Sequence, residues 1–337
     1  MLTEAIQLVT AGRDLAQDEM RQVIDRMMRG ECSDAQIAEF LLALRAKGES
    51  VEEVAGAAAA MRQHMVPVRS QRSGILDTCG TGGDGARTFN ISTAAAIVTA
   101  AAGVPVAKHG NRRITSSTGS ADVLTALGVN IEAACSTVER CLDELGLAFC
   151  FAPQLHPAMR HVAAARRSLG VPTIFNLLGP LCNPAGAAYQ LLGVGRSHKG
   201  ELISAALQRL GPARAAIVTG RDGLDEVTLA AETEVTLVAD GVRETFIWEP
   251  EQFGIARQPL TALLAEGPDA SAAVIRRVLD GERGPARDIV VLNSAAALWI
   301  ANSDGDLKTC AERAAEAIDS GRARQLLADL ARFTSAN

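Results

Sequence analysis

Aromatic residues are scarce in this chain, at 3% of 337 positions, so Ala, Leu and Val must fill whatever core it builds. Hydrophobic residues at 48% are ample for a sizeable one. Lysine is scarcer still, confined to Lys47, Lys108, Lys199 and Lys308. No Cys-x-x-Cys occurs among Cys32, Cys79, Cys135, Cys141, Cys150, Cys182 and Cys310, and their number is odd. That argues against a disulfide framework or a thiolate zinc site and for reduced, buried thiols. The N-terminus has no basic flank leading into an apolar core, so no signal peptide is expected. The Ala-rich runs at 94–102 and 163–165 are too short to cross a bilayer. A net charge of −6 and a pI near 5.5 disfavour a nucleic-acid binder. A cytoplasmic chain without membrane association is the expectation.

Acidic residues are missing from one stretch in particular. From Gly85 to Ala121 there is no Asp or Glu, while Arg87, Lys108, Arg112 and Arg113 fall inside it. The same region carries Gly80-Thr81-Gly82-Gly83-Asp84-Gly85, then Asn90-Ile91-Ser92-Thr93, Lys108-His109-Gly110-Asn111-Arg112 and Ser116-Ser117-Thr118-Gly119-Ser120. Loops rich in Gly, Ser and Thr expose the N–H and hydroxyl donors an anion needs. A multiply charged ligand meets no like charge along this window. The reading is a phosphorylated small molecule.

The chain length allows one large domain or two. Residues 1–68 read as helices only. Ser33-Asp34-Ala35-Gln36 and Ser50-Val51-Glu52-Glu53 are capping-box patterns. Ile37, Phe40, Leu41 and Leu44 follow at helical spacing. So small a bundle buries little alone; it is expected to pack on the remainder or on a second copy, with Phe40 and Leu44 at a dimer interface, and to recruit helices from 155–185. Residues 69–337 alternate strands and helices. Strand candidates are 75–78, 104–107, 148–151, 191–194, 215–219, 235–239 and 244–248; helices are expected over 92–102, 156–169 and 199–210, and mainly helix beyond Pro259. This predicts an α/β fold: a small N-terminal helical domain and a larger α/β domain with a mainly parallel sheet flanked by helices. Ligand loops then lie beyond the carboxyl ends of the strands.

Each constellation has a plain alternative. Gly80, Gly82 and Gly85 match Gly-x-Gly-x-x-Gly, but a dinucleotide site also needs an acid about 20 residues on, and this chain offers Lys108 there. A tight turn explains two glycines, not four followed by hydroxyls opening a helix, which is a phosphate site on physical grounds. The Lys108–Arg112 segment is either a solvated loop or a pair of cations facing an anion, and His109 reads as an orienting or packed imidazole more than as a base. Asp225-Glu226, after the strand 215–219, suits Mg²⁺ or a solvated turn, and spacing does not decide between them. Arg166-Arg167 ends a helix, where the dipole favours cations; the alternative is a guanidinium aimed at a substrate carboxylate.

Taken together the motifs resemble the anthranilate phosphoribosyltransferases, the tryptophan-pathway members of a family that includes pyrimidine nucleoside phosphorylases. The matching strings are Gly80–Gly85, Thr88–Thr93, Lys108–Arg112, Gly119–Asp122, His156-Pro157-Ala158-Met159, Thr173–Leu181 and Gly223–Glu226. They cover nearly the whole chain in the family's order; the His-Pro and Thr173–Leu181 strings discriminate best.

The resemblance implies transfer of phosphoribose from 5-phosphoribosyl 1-diphosphate to the amine of anthranilate. It also implies a homodimer, Mg²⁺ at two ions per subunit, and association with anthranilate synthase as a partner. It places Gly80, Gly83, Asp84, Thr88, Asn90, Ile91, Ser92, Thr93, Lys108, His109, Gly110, Asn111, Arg112, Ser116 and Ser120 around the donor. Gly80, Asn111 and Arg166 meet anthranilate, and Ser92, Asp225 and Glu226 meet the metal. No acid/base residue is implied; Lys108, Asn111 and Arg166 position the substrates. One departure is Ser117-Thr118, where the family often has Lys-Ser. The rivals are a pyrimidine nucleoside phosphorylase, which cleaves uridine or thymidine with phosphate, and a non-enzymatic nucleic-acid-binding relative, which the negative charge disfavours.

Overall fold

The computed structural model describes residues 2–82, 85–112, 118–195, 197–301 and 305–335. Four helices open the chain: α1 (Leu2–Thr10), α2 (Gln17–Met28), α3 (Asp34–Lys47) and α4 (Val51–His64). Both expected capping boxes form. Ser33 Oγ accepts from Gln36 N at 3.3 Å and Gln36 Oε1 from Ser33 N at 3.1 Å. Glu53 Oε2 likewise accepts from Ser50 N at 2.8 Å. Glu53 is fully buried, its charge met by Lys47 Nζ at 2.9 Å, which also reaches Asp14 at 2.5 Å.

The sheet follows: β1 (Leu76–Gly80), α5 (Ile91–Ala101), β2 (Val106–Gly110), α6 (Ser120–Ala126), α7 (Cys135–Arg140) and β3 (Leu147–Phe151). Next come α8 (Ala152–Leu155), α9 (Arg160–Leu169), α10 (Phe175–Leu178), β4 (Tyr189–Gly193), α11 (Ser197–Leu210), β5 (Arg214–Gly220), β6 (Thr233–Ala239) and β7 (Val242–Trp248). Four longer helices close the chain: α12 (Gly267–Leu279), α13 (Pro285–Ala301), α14 (Leu307–Asp319) and α15 (Arg322–Ser335). The strand order is β3-β2-β1-β4-β5-β6-β7, parallel from β3 to β5 and antiparallel at β6 and β7. All seven expected strands are present among the described residues.

Most element ends lie within two residues of the sequence reading, and two elements differ by more. The second strand starts at Val106 and runs to Gly110 instead of stopping at residue 107, because Pro105 has no N–H to pair and β2 stays registered with β3 to Gly110↔Phe151. Lys108, His109 and Gly110 therefore belong to a strand, not to a loop after one. The helix expected over 156–169 begins at Arg160; His156, held ahead of Pro157 at φ −121°, is kept out of helical geometry, and a single 3₁₀ turn precedes α9.

Two hydrophobic cores line the two faces of the sheet. One joins β1–β3 to α5, α12, α13, α14 and α15. The other runs from α1–α4 through α9, α10 and α11 to the opposite face of β4 and β5. The N-terminal bundle is thus continuous with the larger part of the chain. Phe40 and Leu44, expected at an interface, have no exposed surface and sit inside this core. Their spacing marked burial correctly but could not say against what.

Candidate functional site

The chain visits β1, β2 and β3 on one side, then crosses back to place β4 on the other side of β1. That reversal opens a crevice at the carboxyl ends of β1 and β4. Gly80 and Gly193 end the two strands as register partners, and Thr81 N donates to Gly193 O at 2.9 Å. A close approach demands glycine at 193 and crowds position 80. A Cβ on Gly193 would overlap the Asp225 carbonyl, and one on Gly80 would lie 3.2 Å from Asp225 Oδ2. The loop after β5 thus folds down onto the crevice. Asp222 shapes it, accepting from Leu224 N at 3.2 Å and Thr228 Oγ1 at 2.5 Å. The buried amide of Asn293, in α13, brackets Val227 by accepting from its N–H and donating to its carbonyl, each at 2.9 Å.

This anchoring brings Asp225 and Glu226 to the start of α5, where Glu226 Oε1 accepts from Ser92 N at 3.1 Å. Neighbouring carboxylates at the mouth of a phosphate-type helix terminus fit Mg²⁺, which takes one or two carboxylates with substrate oxygens and water. The sequence reading put Asp225, Glu226 and the Ser92 hydroxyl toward this metal, and the Ser92 hydroxyl also accepts from Lys108 Nζ at 3.3 Å.

Lys108 is not a solvent-facing cation. It is buried, and its Nζ donates to Thr78 O and, at 3.3 Å, to Ser92 Oγ. Burial lowers its pKa, opposed chiefly by the buried Asp77 carboxylate. Asp77 Oδ1 in turn accepts from His109 N at 3.0 Å. Lys108 thus ties the end of β1 to the first turn of α5. Arg112 is diverted as well, pairing with Glu132 at 2.9 Å and Asp122 at 3.8 Å and lying over the Phe151 ring. The window empty of acids in sequence is ringed by acids in space.

The remaining donor-site candidates divide. Asn90 is held by Ser271 and Thr118 through bonds of 2.6–2.9 Å. Thr88 bridges Leu264. Ile91 is in the core and its N–H is bonded to Phe89 O at 2.8 Å, so its side chain offers a ligand nothing. Thr93 is buried, with no partner for its hydroxyl among the described residues. Gly110 leaves room for Ser120, whose Oγ would overlap a Cβ at that position and lies 3.5 Å from Asn111 O. Gly83, Asp84 and Ser116, with Arg113 and Ser117, lie outside the described residues.

Beside this crevice opens a cavity of 530 Å³ whose walls include Gly80, Asn111 and Arg166, the three residues expected to meet an aromatic acceptor. Arg166 makes no ion pair among the described residues; its guanidinium sits 5.3 Å above the Phe175 ring, and burial lowers its pKa. Arg167, its neighbour, is exposed. The sequence reading did not count His156, Phe175 or Met61 as site residues, though all three line the cavity. His156 and Phe175 lie in the discriminating strings, which was the only signal available. His109 Nδ1 donates to Gly179 O at 3.0 Å, and its Nε2 lies 3.2 Å from Nε2 of His156, whose ring is also hydrogen-bonded to the Cys182 backbone. Both imidazoles are held neutral by burial, His109 at about 3 and His156 at about 4. His109 is therefore a wall of the cavity, as its packed reading implied.

Family comparison adds the context. Residues 72–324 match the model of the glycosyl transferase family α/β domain, and residues 3–65 that of its helical bundle domain. The chain is 49% identical to the anthranilate phosphoribosyltransferase of Rhodopirellula baltica, over 98% of this chain and 96% of that protein. It superposes on the crystal structure of anthranilate phosphoribosyltransferase from Thermus thermophilus with a TM-score of 0.92 and 44% identity, covering 98% of this chain and 99% of the other. The Saccharomyces cerevisiae enzyme in complex with phosphoribosyl diphosphate and Mg gives 0.90 at 29% identity, covering 99% and 98%.

Proposed function

This chain belongs to the glycosyl transferase family, and from that premise we infer how its own residues carry the reaction. It is an enzyme that transfers the phosphoribosyl group of 5-phosphoribosyl 1-diphosphate to the amine of anthranilate, giving N-(5-phosphoribosyl)anthranilate and diphosphate in tryptophan biosynthesis. It uses Mg²⁺.

The observation that carries the site reading is Arg166: a half-buried guanidinium with no carboxylate partner among the described residues, in a cavity that also reaches Gly80 and Asn111. An aromatic acid fits such a place, its carboxylate on the guanidinium and its ring against apolar walls. The N-terminus of α5, with Asn90 and Ser92, faces the donor phosphates, and Lys108 holds that terminus against β1. In the reaction the C1–O bond to diphosphate breaks, oxocarbenium character develops on the ribose, and the anthranilate nitrogen attacks C1. Mg²⁺ bound near Asp225, Glu226 and Ser92 would neutralise the departing diphosphate. An aniline nitrogen needs no strong base, so positioning by Arg166 and Asn111 and the fixed donors of α5 supply the catalysis. The neutral His109–His156 pair keeps the cavity free of a competing cation. Loss of anthranilate fluorescence with phosphoribosyl diphosphate and Mg²⁺ tests the assignment; cleavage of thymidine with phosphate, and no consumption of anthranilate, would overturn it.

The domain boundary at 68/69 follows the change from helices to sheet. Two metal ions per subunit suit the two carboxylates. For a homodimer through the N-terminal helices, Leu42 of α3, 47% exposed, is the large apolar side chain left exposed there among the described residues. Seven unpaired thiols support the cytoplasm as the location. Among the described residues no helix is long and apolar enough to cross a membrane. An association with anthranilate synthase would place the enzyme that makes the acceptor beside the one that consumes it.

A further inference from the structure

Asn90 precedes the first turn of α5, yet its side chain does not cap that helix. It is held from two other directions. Ser271, in α12 and without exposed surface, accepts from Asn90 N at 2.9 Å and donates to Asn90 Oδ1 at 2.9 Å. Thr118 Oγ1 donates to the same oxygen at 2.6 Å. The directions of these bonds fit together. A backbone N–H can only donate, so Ser271 Oγ accepts there, and its hydroxyl proton, shut away from water, needs an acceptor. Asn90 Oδ1 supplies that acceptor. Asn90 Oδ1 therefore faces Ser271 and Thr118, and the two N–H donors of the amide are what Asn90 can offer elsewhere.

We propose that Ser271 and Thr118 are positioning residues that lock the Asn90 amide with its donors toward the phosphate oxygens of the phosphoribosyl donor. This rests on the reading of Asn90 as a donor-site residue. An unlocked amide would present an oxygen to the anion for part of the time, and oxygen repels phosphate where N–H attracts it. The arrangement also gives a use to position 118, where the hydroxyl survives although the Lys-Ser pair common in the family is replaced by Ser117-Thr118. It further couples α12, late in the chain, to the loop between β1 and α5.

The test is steady-state kinetics with inhibition by inorganic diphosphate, which reads binding of the anion without turnover. Ser271→Ala and Thr118→Val should each raise the apparent KM for phosphoribosyl diphosphate, and the inhibition constant of diphosphate, by roughly threefold to tenfold, the scale of one hydrogen bond. The KM for anthranilate should stay within about twofold, and Thr118→Ser should behave as the parent. Thr118→Val removes the hydroxyl while keeping the branched side-chain shape, so it carries the test if Ser271→Ala does not fold. In an Asn90→Ala background the two substitutions should add nothing. Equal effects on both KM values, or effects that persist undiminished without Asn90, would overturn the proposal. If Asn90→Ala itself leaves donor binding unchanged, the donor-site reading of Asn90 falls; if it weakens donor binding while Ser271→Ala and Thr118→Val do not, only the positioning role falls.

Discussion

Acid should unfold this protein through the His109–His156 pair. The two rings face each other with Nε2 atoms 3.2 Å apart, and among the described residues neither forms an ion pair with a carboxylate. Burial is the main cause of both depressed values, and for His109 the neighbouring imidazole adds to it. An unfolded histidine titrates near pH 6.5. Below that pH the unfolded chain binds protons that the folded chain refuses, so stability is full above about 6.5 and falls as pH drops toward the folded values of about 4 and 3. Each site then loses about 2 kcal/mol between pH 8 and pH 5, or about 4 kcal/mol for the pair, at roughly 1.4 kcal/mol per unit. That is a large share of an ordinary domain's stability. Asp77 works in the opposite sense, because burial raises its pKa and the folded chain takes up its proton more readily. The comparison should therefore be made between variants. Urea unfolding followed by circular dichroism at pH 8 and pH 5 should show a smaller acid loss in His156→Gln, which keeps an N–H toward His109 but does not titrate, by about 2 kcal/mol. An acid loss identical in parent and variant would refute the reasoning, whatever its size.

Three further outcomes follow from the same geometry. Arg166→Ala should raise the KM for anthranilate about tenfold to hundredfold, the scale of a charge-assisted contact, with little change for the donor, and Arg167→Ala should be mild; equal damage to both KM values would point to a helix-terminus role. Lys47→Met leaves the fully buried Glu53 without its cation and should lower unfolding free energy by about 3 kcal/mol, read by urea titration; a change under about 1 kcal/mol would mean that backbone donors to Glu53 suffice. Asp225→Asn with Glu226→Gln should leave the melting temperature near that of the parent while the Mg²⁺ requirement moves to higher concentration. An unaltered Mg²⁺ titration would mean that metal arrives held by the donor alone.

The fold was legible where physics is local. Capping boxes at Ser33 and Ser50 form as bonds. Strands rich in β-branched and apolar residues appear at their expected places; Pro105 moves the second strand by two to three residues and Pro157 delays the start of α9 by four, each overriding apolar spacing. Gly80, Asn111 and Arg166 were brought together by family resemblance, and they do share one cavity, although 86 residues separate the first from the last. What local patterns could not supply was the identity of the other side of each contact. Phe40 and Leu44 were recognisably buried, but the same helical stripe serves an internal core or an interface. Ser271 and Asn293 carry no motif at all. They matter because α12 and α13 lay them against Asn90 and Val227, which only the tertiary fold decides.

The acid-free window makes the limit sharpest. Read along the chain, Lys108 and Arg112 were cations with no anion near them. In the folded protein Lys108 feels the charges of Asp77 and Glu226, and Arg112 is taken by Glu132 and Asp122. Neither is spare charge waiting for a phosphate. The favourable field for an anion has to come largely from dipoles: the α5 terminus, the Ser and Thr hydroxyls, and an Asn90 amide whose orientation is set by its neighbours. Dipoles fixed in place need no counter-ion and do not collapse onto the nearest carboxylate when the ligand leaves. They also neutralise less, which is why a donor as highly charged as phosphoribosyl diphosphate calls for Mg²⁺ beside them, and why the pair Asp225-Glu226 is held to the crevice by Gly193 and Asn293.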